Sequence, residues 1–200
     1  MRKITTLSLS LLLLAGSLAA QEPKKPLSPP AKADAILNGK KITIDYSAPS
    51  KRGRVIMGEL VPYGKVWRTG ANAATTLTTE GDLMIGTVHV PAGKYTLFTI
   101  PGEKEWTLII NKQAGQWGTN YDESKDLGRT KMVVKNLGTP VETFQIGFTP
   151  VNPNQATLTF SWENVEATAR VLAHKSRVAK SQSRKVAKGL PLLPAVPLRL

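Results

Sequence analysis

The chain has 200 residues, 27 Lys+Arg against 14 Asp+Glu, a formal net charge of +13, and no cysteine. That length leaves room for one domain with a full core once terminal segments are set aside. The absence of Cys excludes disulfides, thiolate metal sites and a cysteine nucleophile, and two histidines, His89 and His174, leave little for a multi-histidine metal centre.

The charge is uneven. Arg2 and Lys3 open the chain, and the segment from Arg170 to Leu200 holds eight basic residues and no acid, which leaves about +3 on residues 21–169. A nucleic-acid reader carries its basic face on the folded part, so no specific nucleic-acid partner is expected. The basic end offers at most non-specific contact with anionic envelope surfaces.

Residues 1–20 have the pattern of a secretory signal peptide. Arg2 and Lys3 precede an apolar run from Leu7 to Ala15 that is too short for a membrane span, and Gly16, Ser17, Ala19 and Ala20 supply small residues for cleavage after Ala19 or Ala20. The expected product is exported, to a periplasm or outside the cell, with no transmembrane segment after cleavage. Residues 21–32 form a linker in which Pro23, Pro26, Pro29 and Pro30 favour extended polyproline conformation. A domain is expected over 33–172. Residues 173–200 form a basic, Ser-rich tail ending in a Leu/Pro segment with prolines at 191, 194 and 197. It reads either as a ligand for a proline-binding groove or an anionic surface, or as a disordered extension.

Within the domain the pattern is β throughout. Ile42, Ile44 and Tyr46 alternate along Lys41–Tyr46, preceded by the hairpin signal Asn38-Gly39. Further strands are expected at Thr75–Thr79, Leu83–Val90, Tyr95–Ile100, Trp106–Ile110, Lys131–Lys135, Thr143–Phe148, Ala156–Trp162 and Val165–Val171. The strongest helical segment, Gly53–Val61, is limited to a turn or two by Gly58 and Pro62. About nine or ten strands with little helix define an all-β fold, an antiparallel, jelly-roll-like β-sandwich.

The segment from Tyr46 to Thr76 carries the densest chemistry. It is long, rich in Gly and aromatic residues, and contains Trp67-Arg68-Thr69-Gly70-Ala71-Asn72; long ordered loops in compact domains are usually functional. Arg68 offers a fork of donors suited to carboxylate, phosphate or sugar hydroxyls, and Asn72 a donor and an acceptor. Trp67, Tyr63 and Trp117 are candidate stacking faces, Trp106 and Trp162 core residues. The candidate ligand-binding set is Arg54, Tyr63, Trp67, Arg68, Asn72 and Trp117. An alternative reading makes Arg68 a staple to Asp45 or Glu59, and Asn72 the holder of a left-handed turn.

Three stretches in this order, Val61–Thr75, Pro91–Pro101, and Asn111 followed by Gln116-Trp117-Gly118, resemble the domain-of-unknown-function family DUF2911, over roughly residues 28 to 172. The resemblance implies an exported β-sandwich-type domain of mostly secreted bacterial proteins, and implies no activity. Such proteins often carry Arg where this chain has Ala48; if that Arg binds a ligand, this chain either lacks the contact or uses Arg52 or Arg54 instead.

Catalytic readings are thin. His89 lies in an alternating strand and His174 in the tail, so neither is placed for a triad, and there is no phosphate-cradling Gly-x-x-x-x-Gly-Lys motif. Asp122, Glu123 and Asp126 lack the loop spacing of a calcium hand. No cofactor and no metal are expected. The leading expectation is a non-catalytic binding domain for a small polar ligand or glycan. The alternatives are a carboxylate-dependent hydrolase using Asp45 or Glu59 on a glycan or envelope polymer, and an interaction module with an exposed sheet edge.

Overall fold

The computed structural model describes residues 26–174. The signal-peptide pattern, the first part of the linker and all but the first two residues of the tail lie outside them. Nine strands form one antiparallel sheet: β1 Pro30–Leu37, β2 Lys40–Ser47, β3 Thr76–Thr79, β4 Leu83–Ile85, β5 Val88–Val90, β6 Gly93–Ile100, β7 Glu105–Asn111, β8 Asp126–Asn152 and β9 Gln155–Ala173. Their order across the sheet is β1-β2-β3-β6-β7-β8-β9-β4-β5. The one helical element among the described residues is a single 3-10 turn, Glu123–Lys125. No helix among them is long and apolar enough to cross a membrane.

The sheet folds over itself. The edge strand β1 packs against β8 and β9, and the other edge strand, β5, also packs against β8. The apolar residues of the two layers meet in one core, in which Ile42, Ile44, Leu77, Leu97, Leu108, Ile110, Phe160 and Val171 are all essentially inaccessible. The architecture is therefore all-β and sandwich-like, with both sheet edges turned inward over a shared interior.

Several strands differ from the sequence expectation, each for a local reason. β1 begins at Pro30, inside the segment read as linker. Its inward residues are alanines except for the last (Ala33 and Leu37 are buried, Ala31 and Ala35 half-buried), so alternation there is faint. As an edge strand it tolerates a proline at its first position. Asn38 and Gly39, both at positive φ (49° and 73°), turn β1 into β2 as the dipeptide predicts. Leu83–Val90 is two strands: Gly86 at φ +55° makes the turn between β4 and β5. Conversely, the paired segments expected at 131–135 and 143–148 belong to the single strand β8, and those at 156–162 and 165–171 to β9. The β8–β9 ladder bends at register shifts between Asn136 and Gln145. Glu163, at φ +54°, lies opposite Val141 in that bend. Gly53–Val61 is not helical; Met57 and Val61 form an isolated bridge around Gly58 at φ +89°.

Candidate functional site

The long connection from Ser47 to Thr76 is held at several points. Lys51 N–H donates to the Glu142 carbonyl (2.7 Å), Phe144 N–H to the Pro49 carbonyl (2.8 Å), and Ser50 bridges Thr143. Glu163 Oε2 accepts from the amides of Ile56 (3.2 Å) and Met57 (3.1 Å), and Glu163 Oε1 pairs with Lys51 Nζ at 3.3 Å. Burial pushes the Glu163 carboxyl up, but the two amides and Lys51 together hold it below the ordinary carboxylate value. Farther along, Trp67 exchanges both backbone hydrogen bonds with Thr99 (2.7 and 2.9 Å), and Thr75 Oγ1 donates to the Thr69 carbonyl (2.7 Å). The loop is thus a fixed wall.

Trp67 sits at the centre of an aromatic cluster. It stacks on Trp162 (centroids 5.8 Å, 17°) and meets Trp106 and Phe144 edge to face at 6.1 and 5.0 Å. Trp106 and Trp162 are buried, at 1% and 2% exposure, as expected of core residues. Trp67 remains half-buried, with one part in this cluster and another lining surface clefts.

Two clefts meet at Trp67-Arg68. The smaller, of about 250 Å³, is also lined by Arg52, Arg54 and Trp162; the larger, of about 480 Å³, by Lys65, Phe98 and Tyr121. Leu60, Trp67 and Arg68 belong to both. Neither cleft has a carboxylate residue in its lining. The aliphatic stem of Arg68 lies against Gly118: a Cβ there would stand 2.6 Å from Arg68 Cδ and 2.7 Å from the Asn72 carbonyl oxygen. Gly118 therefore lets the Trp117–Asn120 turn close on Arg68.

Of the six candidate residues, three line these clefts: Arg54, Trp67 and Arg68. Arg54 donates through Nε to the Lys51 carbonyl (2.9 Å) and through Nη2 to the Ser50 carbonyl (2.7 Å). Tyr63 packs against the Gly58 turn, outside both clefts. Asn72 is exposed at φ +57°, its carbonyl accepting from Gly118 N–H at 3.1 Å, so it holds the left-handed turn. Trp117 is 54% exposed and lines neither cleft, although the residue after it does. The proposed staple between Arg68 and Asp45 or Glu59 does not form: Asp45 pairs with Lys32 at 3.3 Å, and no ion pair among the described residues involves Arg68 or Glu59. Glu163 and Lys51 do the stapling instead. The sequence signal for them was the break between two apolar runs at Glu163-Asn164, which marks the bend but not its partner more than a hundred residues away.

The three acids of the 122–126 segment have structural partners. Asp126 accepts from Asn111, Tyr121 and Arg129, Glu123 pairs with Arg129, and Asp122 caps the 3-10 turn. Burial, then the bond to Asp126, pushes the Tyr121 phenol up to about 12, so it stays neutral beside the larger cleft. The two histidines meet elsewhere, with ring centroids 5.1 Å apart and His89 Nε2 3.5 Å from Asp82. Among the described residues no group of three His, Cys, Asp or Glu side chains is placed to hold a metal.

This sandwich-like domain, with its long stapled loop, has counterparts in sequence. Residues 28–171 match the model of a family described as protein of unknown function (DUF2911), and the chain belongs to that family. No curated protein and no solved structure gives a significant match.

Proposed function

We propose that the domain is a non-catalytic binding module for a small polar ligand or glycan, taken where the two clefts meet at Arg68. The observation that carries this reading is the state of Arg68 itself: a half-buried residue on the wall of two clefts, whose guanidinium has no hydrogen-bond or ion-pair partner among the described residues. An arginine on a concave wall whose donors have no protein acceptor is a recognition group awaiting one. Trp67, locked by its aromatic neighbours, supplies a rigid apolar face beside it.

The hydrolase reading is disfavoured because neither cleft has a carboxylate in its lining. A sheet-edge interaction module is disfavoured because both edge strands pack onto the opposite layer, β1 against β8 and β9 and β5 against β8, and β1 starts at Pro30 and carries Lys32 and Asp34, paired with Asp45 and Lys41 on β2. The proposed site of action is the periplasm or cell exterior, a reading supported by the charged, apolar and small-residue pattern of residues 1–20.

A thermal-shift screen against glycans, nucleotides, organic acids and divalent cations tests the proposal. A ligand at a hundred times its dissociation constant adds ~2.7 kcal/mol of stability. Arg68→Ala is expected to abolish the shift while moving the unliganded melting temperature by no more than a few degrees. A variant that unfolds, or one that keeps the full shift, contradicts the assignment of Arg68.

A further inference from the structure

We infer that the ligand taken at Arg68 is a small anion, bearing a carboxylate or phosphate group, and that the smaller cleft is where the anionic group sits. The inference rests on the binding reading above and narrows it.

The argument is one of local charge balance. Three arginines, Arg52, Arg54 and Arg68, line the smaller cleft, and Lys65 joins Arg68 in the larger one. None of the ion pairs among the described residues involves any of the four. Two of the acids against the loop are already committed: Glu142 Oε1 accepts the Arg52 backbone amide at 2.8 Å, and Glu163 holds Ile56, Met57 and Lys51; the loop's own acid, Glu59, is exposed and lines neither cleft. The cationic cluster is therefore uncompensated on a domain whose overall charge is nearly balanced.

Its geometry is prepared in advance. Arg54 is held by the carbonyls of Lys51 and Ser50, and Arg52 by the carbonyl of Leu27. A guanidinium has five N–H donors, so each anchored arginine keeps donors free while losing little side-chain freedom on binding. Charge-assisted bonds from such a fork to a carboxylate or phosphate are about twice as strong as neutral ones. A neutral sugar gains no such advantage, and it leaves the arginines that line the cleft without a counter-charge. The cleft volume, about 250 Å³, lies just under the usual span for drug-sized ligands. It suits a compact anion, with the rest of a larger ligand passing along Trp67 into the second cleft.

The test is isothermal titration of the full chain with sodium phosphate, sodium succinate and maltose, repeated with Arg68→Ala and Arg54→Ala. The expected result is saturable binding of phosphate or succinate, weakened at least tenfold in each variant, with no heat from maltose. Phosphate and succinate are distinguished by which of them saturates at the lower concentration. Maltose binding that is lost in Arg68→Ala would overturn the anion assignment and leave the binding module standing. Anion binding unchanged in both variants would place the anion elsewhere, on the basic C-terminal segment, and overturn the inference. Absence of any Arg68-dependent heat, here and in the wider screen, would overturn the inference and the binding reading together.

Discussion

Glu163 is the residue on which the shape of the site depends most. It occupies the left-handed region, costly for a non-glycine residue by ~1 kcal/mol or more. In return its carboxylate is bonded to two loop amides and Lys51. A hydrogen bond to a charged group is worth roughly 1.5–3 kcal/mol. Glu163→Gln is accordingly expected to lower stability in urea by about 2 kcal/mol at pH 7. Because the folded-state carboxyl titrates below its unfolded value, that contribution is complete above the unfolded pKa of about 4.3. It disappears as pH falls through the lower, folded value. The gap in urea midpoint between wild type and Glu163→Gln should therefore hold above the unfolded pKa and narrow as pH falls below it. A gap that is constant with pH would mean that packing, rather than the charge, holds the loop.

At the scale of elements, the turn between β4 and β5 makes the sharpest demand on its residue. Gly86 is at φ +55°, and a Cβ there would enter the Thr130 side chain of β8. Gly86→Ala should cost roughly 1–3 kcal/mol from overpacking in addition to the backbone penalty, read as a fall in melting temperature. A melting temperature within a degree of wild type would show that β5 does not close onto β8. The same turn shows what the sequence reveals. Asn38-Gly39 announces its hairpin because both residues tolerate positive φ, whereas Gly86-Thr87 sits inside an apolar alternation that continues across it, so two strands read as one. The arrangement of β8 and β9 is hidden for the opposite reason: Gly138, Pro140 and Asn164 look like strand ends, but in a long twisted hairpin they are bulges. Trp106 and Trp162 were legible as core from strand alternation. The Gly- and aromatic-rich composition of its loop marks Arg68 as a candidate in the sequence, and the structure places it on the wall of two clefts. Asn72 was legible as the holder of a left-handed turn, the alternative reading, because Asn tolerates positive φ; the dispersal of Tyr63 and Trp117 away from the clefts was not, since it follows from how the loop folds back on the Gly58 turn and the 117–120 turn, contacts with no local sequence signature.

Across the whole molecule, the fold brings three distant segments to one place. The loop after β2 supplies Arg52, Arg54 and Arg68, the β8–β9 bend supplies Glu163 and Trp162, and the turn after β7 supplies Gly118 and Tyr121. Such non-local assembly implies folding on the millisecond-to-second scale typical of β-sandwiches. It also implies a site that is complete only when both layers have closed. Two further surface clefts have comparable size: one of about 510 Å³ beside Lys40, Asp82 and His174 has acids and bases in its lining, and one of about 640 Å³ is lined by Arg129, Lys131 and Arg170, of which Arg129 is already paired with Glu123 and Asp126 and Lys131 with Glu105.

The most direct measurement is a ¹⁵N–¹H spectrum of the full chain, including arginine Nε–Hε signals, titrated with phosphate, succinate and maltose. The account predicts saturating shifts at Arg68 Nε and at the amides of residues 67–71 and 118–121 with at least one of these probes. Shifts confined to the Lys40–Asp82–His174 cleft or to residues after 174, with Arg68 Nε unmoved by any of them, would contradict it.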